Sequence, residues 1–369
     1  MQPFGLFGQT ALVNSRTELL VNRSSIGETE LRTTGADELA PDHVRLEIER
    51  FALTSNNMTY AQFGDQLDYW GFFPADLPWG NVPAMGWGRV TASNVVDVSV
   101  GERFYGWYPM ATSVDVLATP VPHGLRDDGP HRAKHAAVYR MFTRSDLDGL
   151  YTTPDDEDRH SLLRGLFLTG FLVDGFLGAT SYDGATQAII LSASSKTALG
   201  YAHSAKARDL RLVGLTSASN REFVEGVGLY DTVLAYDEID EIVKEPSVVI
   251  DMAGSGSVVA AVHERLGDLI TYSMGVGKSH HDAPPARVAA GPRQQMFFAP
   301  TAMGDRVKQW GMEEYQRRIK DGLASFIIDS RRWLEIDERR GADAAAGAWA
   351  SLFAGTVAPS TGLIVSLHG

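Results

Sequence analysis

The chain has 369 residues, of which 46 are acidic and 33 basic, so its formal net charge is −13. This length allows two domains, and a dispersed negative charge without a basic cluster disfavours nucleic acid and anionic membranes as partners. The absence of cysteine excludes disulfides, thiol catalysis and thiolate zinc sites. The first residues lack both a positively charged segment and a long apolar core, so we expect no signal peptide, no membrane span and a cytoplasmic location.

Short β-like segments separated by glycine and proline turns fill the first 150 residues. Residues 44–53 alternate apolar and charged side chains, which is the pattern of a half-buried strand. The polar stretch 54–60 that follows predicts a loop leading into a short helix. An aromatic run at 69–73 forms either core or the wall of a substrate cleft. These features predict a β-rich domain with a partly open barrel.

From about residue 155 helical and strand patterns alternate. Residues 161–177 predict a mostly buried helix or helix pair with close-packing glycines. Strands separated by helical segments are predicted at 188–191, 210–215, 232–236, 247–251, 268–273 and 294–298. This alternation predicts a parallel sheet with helices on both faces. A last strand at 363–367 is expected to return to the first domain.

The turn after residues 188–191 is the stretch from which a cofactor site is inferred. It offers small hydroxylated residues and a lysine, namely Ser192, Ser194, Ser195, Lys196 and Thr197. In a doubly wound sheet the free N–H groups at this helix N-terminus bind a dinucleotide pyrophosphate. The usual glycines are missing, and serine is expected to replace glycine only where φ is negative. The turn is either a phosphate cradle in which Lys196 faces the phosphate, or an ordinary capped turn with a solvated lysine.

The order of the elements resembles the medium-chain dehydrogenase/reductase superfamily, in its zinc-free quinone- and enone-reductase branch, and more narrowly the DUF2855 family. The matching segments are the strand and polar loop at 44–60, residues 83–90, the Val-Gly-Glu-Arg-Phe-Tyr-Gly stretch at 100–106, Thr169-Gly170 and the end at 354–365. The resemblance implies an α/β fold with a Rossmann doubly wound parallel sheet and a GroES-like β-rich domain. It assigns the GroES-like catalytic domain to residues 1–150, completed by 325–369, and the Rossmann NADP-binding domain to 151–324.

Departures from the zinc-containing relatives indicate a site without metal. Trp87 stands where those relatives have a zinc-binding histidine, and Gly88 stands where a glutamate follows it. With no cysteine in the chain, we predict neither catalytic nor structural zinc.

The resemblance also implies NADP(H) as cofactor. The end of the second Rossmann strand lacks the acidic residue that favours NAD. In the quinone-reductase branch a hydroxyl, a basic residue and a tyrosine surround the 2′-phosphate, and Thr216 or Ser217, Arg221 and Tyr236 take these positions. Arg221 is alternatively an exposed residue of a helix first turn. Further cofactor contacts are expected from Thr169, Ser273 and Gly275.

A hydride-transfer site without zinc needs a hydrogen-bond donor for the developing enolate or alkoxide. The candidates are Tyr60, Asn56 and Asn57, and a tyrosine also delivers a proton if a cation or NADP⁺ lowers its pKa. The alternative for the two asparagines is turn chemistry, in which the side chains bond their own backbone. The substrate pocket is expected to include Tyr69, Trp70, Trp87 and Tyr272.

Three functions fit these residues. The first is an NADPH-dependent reductase of a small-molecule enone, quinone or ketone with an apolar or aromatic body. The second is lyase-type or redox-neutral chemistry on a β-functionalised ketone in the same site, and the third is a non-catalytic NADP(H)-binding protein. By resemblance, the strand near residues 297–298 forms a homodimer.

Overall fold

A computed structural model of the protein describes residues 15–35, 37–145, 153–252, 254, 256–276 and 290–369. The first part of the chain is β-rich, with one short helix, α1 (Ser55–Gln62), after its third strand. Its strands are β1 (Ser15–Asn22), β2 (Ser25–Gly35), β3 (His43–Leu53), β4 (Trp79–Gly80), β5 (Pro83–Ser93), β6 (Arg103–Pro109), β7 (Ser113–Val121), β8 (Gly124–Asp127) and β9 (Met141–Arg144).

The second part alternates helices and strands around a parallel sheet. Its elements are α2 (Pro154–Gly178), β10 (Gln187–Leu191), α3 (Lys196–Ala205), β11 (Arg211–Thr216), α4 (Arg221–Val227), β12 (Thr232–Ala235), β13 (Ser247–Asp251), α5 (Gly256–Leu266), β14 (Ile270–Gly275), β15 (Gln295–Met296), α6 (Ala299–Trp310) and α7 (Met312–Ser330). The strands follow the order β12-β11-β10-β13-β14-β15, and every neighbouring pair is parallel. This is the order of a doubly wound Rossmann sheet, whose topological switch lies between β10 and β13.

The last elements, β16 (Glu335–Arg340), α8 (Ala342–Phe353) and β17 (Thr361–Ser366), rejoin the β-rich part. There an eight-stranded sheet runs β16-β17-β3-β5-β6-β9-β8-β7, and a further pairing of β3 with β7 closes most of it into a barrel. The predicted α/β class, with a Rossmann sheet and a GroES-like β-rich domain, is confirmed. The expected domain boundary between residues 324 and 325 falls inside α7, which continues to Ser330.

The strand β3 lies at the centre of the barrel sheet, and its side chains alternate between buried and more exposed as the sequence predicts. Val44, Leu46 and Ile48 are buried, whereas Arg45 and Glu47 between them are more exposed. Since successive side chains of a strand point to opposite faces, this alternation places one face in the barrel core. The strand pairs with β5, β7 and β17, so it ties the two ends of the chain together.

The helix α2 joins the barrel to the Rossmann sheet. Thr153 caps it by accepting a hydrogen bond from the backbone N–H of Asp156, and Pro154 occupies its first turn. Its length and composition would let it cross a membrane, yet 61% of its most apolar window is buried. A Cβ on Gly170 would lie 2.3 Å from the backbone nitrogen of Tyr201, so only glycine allows α2 to pack this closely on α3. It is therefore a core helix that passes between the two domains.

Candidate functional site

A narrow recess lies between the two domains, beside α2. Its residues are Ala52, Thr54, Asn56, Asn57, Tyr60 and Met85 from the barrel domain and Ser161, Leu162, Gly165 and Leu166 from α2. The barrel side is mostly polar and the helix side mostly apolar. Gly165, on the wall of this recess, is five residues before Gly170, where α2 meets α3. At 1.5 Å per residue the two points are about 7.5 Å apart along one helix.

Asn56 and Tyr60 share one face of α1 because they are four residues apart. The structure brings these two predicted site residues together in the recess. Burial raises the pKa of Tyr60 well above its ordinary value, Tyr69 and Tyr139 add to the rise, and a hydrogen bond with Asn56 partly offsets it. No cation is among these causes, so within the described residues the condition that a cation lowers the pKa of Tyr60 is not met. Its hydroxyl therefore keeps its proton.

Asn57 serves the local fold. Its Oδ1 accepts a hydrogen bond from the backbone N–H of Thr54 at 2.8 Å, which completes a capping box at the start of α1. Its Nδ2 donates to the carbonyl of Pro83 at 3.0 Å. For Asn57 the geometry therefore favours the turn chemistry, since both ends of its amide already have backbone partners.

The aromatic run divides between the core, a contact with Tyr60 and a separate surface depression. The ring of Tyr69 lies 4.6 Å from that of Tyr60, and both tyrosines are partly exposed. Phe72 and Phe73 are buried in the barrel core. Trp70 packs against Gly64 and Gly80 and lines a separate surface depression, so the structure does not bring this predicted substrate-pocket residue into the recess.

Trp87 is also placed away from the recess surface. It is fully buried, and its Nε1 donates to the backbone carbonyl of Glu157 at 3.1 Å. The carboxylate of Glu157 forms ion pairs with Arg50 at 2.6 Å and with Arg103 at 2.8 Å. Together with Trp87, three barrel residues therefore hold the first turns of α2. The residue in the zinc-histidine position thus anchors α2 instead of lining the substrate pocket. Within the described ranges no group of three or more histidine, aspartate or glutamate side chains is arranged around a metal position.

The turn after β10 lies where a Rossmann sheet binds a dinucleotide, although it lacks glycine. Ser192 has φ of +58°, which corrects the expectation that serine stands here only at negative φ. Such a left-handed residue is strained unless its surroundings hold it, and strained backbone is concentrated at functional sites. Ser195 then caps α3 by accepting from the backbone N–H of Ala198 at 3.2 Å. The N–H groups of Lys196 and Thr197, in the first turn of α3, have no partner within the helix.

Lys196 does not face the open side of the loop. Its Nζ donates to the carbonyls of Pro359 at 3.1 Å and Thr361 at 2.9 Å, at the start of β17. Burial lowers the pKa of Lys196 to about 8. The expectation of an ammonium aimed at a phosphate is thus corrected: this lysine ties the loop to the barrel domain.

The end of β11 offers a polar surface for a ribose. The hydroxyl of Thr216 is buried and has no hydrogen-bond partner among the described residues, whereas Ser217 lies 3.0 Å from Ser219. Arg221 donates from Nη1 to both carboxylate oxygens of Glu238 at 2.8 Å, and from Nε to Glu225 at 2.9 Å. Two carboxylates therefore already surround the guanidinium expected at the 2′-phosphate.

Other residues that were expected to bind the cofactor already make hydrogen bonds within the protein. The hydroxyl of Tyr236 lies 3.4 Å from that of Ser192, which keeps Tyr236 beside the loop. Asn220 donates to the hydroxyl of Ser194 at 3.2 Å. Thr169 donates to the carbonyl of Gly165 at 3.0 Å, one turn back along α2.

Three predicted residues on β14 lie outside the recess. Nδ1 of His263 is 2.9 Å from the carbonyl of Ala290 and must carry the proton there, so Ser273 donates its hydroxyl to Nε2 at 2.9 Å. A Cβ on Gly275 would lie 2.9 Å from the sulfur of Met296, so this glycine makes room for β15. Tyr272 donates to Gln295 at 3.1 Å on the sheet edge, so this predicted substrate-pocket residue also lies outside the recess.

Sequence reasoning missed Glu238, Arg164 and Gly165. Glu238 stands only two residues after Tyr236, but nothing in that spacing shows that its carboxylate folds back onto Arg221. A signal for Arg164 did exist, because it is a cation inside the apolar run that forms α2. A charged residue in an apolar segment is usually paired with an opposite charge or bound to a ligand.

Comparison with known proteins identifies the fold. The family model described as "Protein of unknown function (DUF2855)" matches residues 51–358. No curated protein is similar enough in sequence to match. The crystal structure of CurA from Vibrio vulnificus in complex with NADPH superposes with a TM-score of 0.63 at 12% identity, covering 96% of this chain and 99% of CurA.

Two further solved structures are similar over nearly their whole length. The yhdH oxidoreductase from Salmonella enterica, in complex with NADP, has a TM-score of 0.56 at 16% identity, with 95% of this chain and 99% of that chain covered. The quinone oxidoreductase from Coxiella burnetii has a TM-score of 0.53 at 14% identity, with the same coverage. At these identities the likeness establishes the two-domain fold of the medium-chain dehydrogenase/reductases. The chain belongs to the DUF2855 family and has this fold.

Proposed function

We propose that this protein is an NADPH-dependent, zinc-independent reductase that transfers hydride to an enone, quinone or ketone with an apolar or aromatic body. The observation that carries the proposal is the shared helix α2. It lines the recess of Asn56 and Tyr60 with Gly165 and packs on the dinucleotide-loop helix at Gly170. A cofactor loop and a hydrogen-bond donor for a substrate would therefore lie along one helix.

The polar groups around the loop fit a dinucleotide phosphate. The first-turn N–H groups of α3, with Ser194 and Thr197, would hold the pyrophosphate. Thr216, Ser217 and Arg221 would surround the 2′-phosphate, and the buried hydroxyl of Thr216 has no other partner among the described residues. When bound, NADPH supplies the hydride. The NADPH and NADP complexes of CurA and yhdH, which have the same fold, support this assignment.

Tyr60 and Asn56 would stabilise the charge that develops on the substrate oxygen. A tyrosine whose pKa is raised by burial stays protonated, so it donates a hydrogen bond without losing its proton to water. Asn56, on the same helix face, orients that hydroxyl. The partly exposed ring of Tyr69 packs beside Tyr60, outside the recess lining, and would add an apolar surface that suits an apolar or aromatic substrate.

Cofactor binding is the first expected result. NADPH added to the protein should gain fluorescence and raise the thermal midpoint of unfolding, because a ligand of the folded state stabilises it. Consumption of NADPH in equal amounts with product should follow when enones, quinones and ketones are supplied one at a time. Absence of both the fluorescence change and the stabilisation would refute the cofactor assignment, and binding without turnover of any substrate class would refute the reaction.

A homodimer formed through the Rossmann sheet edge belongs to this proposal. The strand β15 pairs with β14 on one side only among the described strands, and Met296 and Phe298 beside it are 71% and 64% exposed. An open edge with apolar side chains favours pairing with a second copy. Light scattering should give twice the chain mass for the wild type and the single mass for Met296→Lys. A wild type that stays monomeric at every concentration would contradict the dimer.

A further inference from the structure

Arg164 is a partly buried cation at the edge of the recess. Its neighbour in α2, Gly165, lines the recess itself. Arg159, on the same helix, pairs with Asp155 at 2.8 Å. Arg164, by contrast, makes no ion pair with a carboxylate in the described part of the chain. Its guanidinium packs on the aromatic ring of Tyr105 instead. Charges removed from water are costly unless they are paired, so this guanidinium lacks its natural partner.

Two tyrosines from different elements lie near Arg164. Its guanidinium lies 5.5 Å from the ring centre of Tyr105 on β6. Burial raises the pKa of Tyr105 to about 12, although the positive charge of Arg164 and its hydrogen bond to Tyr105 both act to lower this pKa. Burial also raises the pKa of Tyr315, on α7, to about 12, and Arg164 again opposes the rise. Tyr315 is only 5% exposed, and its hydroxyl has no hydrogen-bond partner among the described residues.

Met85 connects this group to the recess. Its thioether lines the recess and accepts the hydrogen bond of the Tyr105 hydroxyl at 3.0 Å. Sulfur is a weak acceptor, and a methionine side chain moves easily. A stronger acceptor that enters from the recess would therefore displace Met85 from Tyr105 at little cost.

We propose that Arg164 and the hydroxyls of Tyr105 and Tyr315 form a subsite for a carboxylate carried by the substrate. Guanidinium binds carboxylate through two parallel hydrogen bonds, and the two hydroxyls supply further donors. In a protein with a formal charge of −13, a local cation is what allows an anionic substrate into the cleft. This inference rests on the proposed function and narrows its substrate to an enone or ketone that bears a carboxylate.

The test is a binding titration that needs no turnover. The probes are 4-oxo-4-phenylbut-2-enoate and its neutral methyl ester, titrated by calorimetry into protein saturated with NADP⁺, which has no hydride to donate. With no cysteine in the chain, thiol addition to these enones does not interfere. The wild type is compared with Arg164→Gln, Arg164→Lys and Tyr315→Phe. Arg306→Gln is the matched control, because Arg306 lies 5.7 Å from the ring centre of Trp310, away from the recess.

We expect Arg164→Gln to weaken carboxylate binding at least about tenfold, since hydrogen bonds to charged groups are worth that much, and to leave ester binding nearly unchanged. Arg164→Lys should bind the carboxylate probe more tightly than Arg164→Gln does. Tyr315→Phe should weaken binding of the carboxylate probe but not of the ester. Arg306→Gln should change the binding of neither probe. Equal effects of Arg164→Gln on acid and ester, or a wild type that prefers the ester, would overturn the subsite. The proposed function fails separately, through absent NADPH binding or absent turnover in the wild type.

Discussion

Tyr60→Phe lowers kcat by about 10²–10³-fold, the usual cost of removing one donor to a developing oxyanion. The dissociation constant for NADPH should stay unchanged, because Tyr60 lies in the recess and not at the loop. The ring is kept, so its packing 4.6 Å from Tyr69 and 5.5 Å from Trp107 is preserved and folding is not at issue. Steady-state kinetics with the best enone or ketone, together with an NADPH titration, measure the two effects.

Tyr69→Phe is the control for Tyr60, since it also removes one phenol oxygen from the same aromatic group but not from the recess lining. It should leave kcat nearly unaltered. The pH profile gives a second check. The pKa of Tyr60 lies well above the ordinary 10.0, so its proton is retained up to that pH and kcat should show no fall from its ionisation below pH 10. A Tyr60→Phe enzyme with normal kcat, or equal losses in both variants, contradicts the donor role.

The fold was predictable because hydrophobic periodicity reports directly on burial. The alternation in β3 and the fully buried segment of β10 both follow from which faces of a strand meet core. The strand β16 was missed because its sequence, Glu-Ile-Asp-Glu-Arg-Arg, is charged on both faces, as befits an exposed sheet edge. The helix α6 was missed because Pro300 and Gly304 interrupt its helical pattern.

The candidate site was predictable by position but not by side-chain direction. Sequence order placed Lys196 in the loop and Trp87 beside the cleft, yet the ammonium of Lys196 donates to carbonyls at the start of β17 and the indole of Trp87 donates to a carbonyl of α2. Both partners come from distant parts of the chain. No local pattern encodes such contacts, because they depend on how the two domains pack. Asn56 and Tyr60 were easier, since four residues of helix bring them to one face.

The cofactor phosphate site carries the second large prediction. Arg221→Glu should weaken NADPH binding by about 100-fold. The charge-assisted hydrogen bonds to the 2′-phosphate would be lost, and the new carboxylate would repel the phosphate. NADH, which lacks the 2′-phosphate, should be affected little. Fluorescence titrations of both nucleotides measure the ratio. Similar weakening of NADH and NADPH would remove Arg221 from the 2′-phosphate site and leave it as a helix surface residue.

Glu238→Gln should act in the opposite direction and tighten NADPH binding by several-fold. In the structure both oxygens of Glu238 accept Arg221 at 2.8 Å, so a 2′-phosphate must compete with this carboxylate for the guanidinium. Glutamine keeps an oxygen for the backbone N–H of Ala235, which Glu238 also accepts at 2.9 Å, so the turn after β12 is preserved. Glu225→Gln is the matched control, with a smaller gain because Glu225 meets Arg221 through one contact. Unchanged NADPH affinity in Glu238→Gln would show that Arg221 meets the phosphate without leaving Glu238, or does not meet it at all.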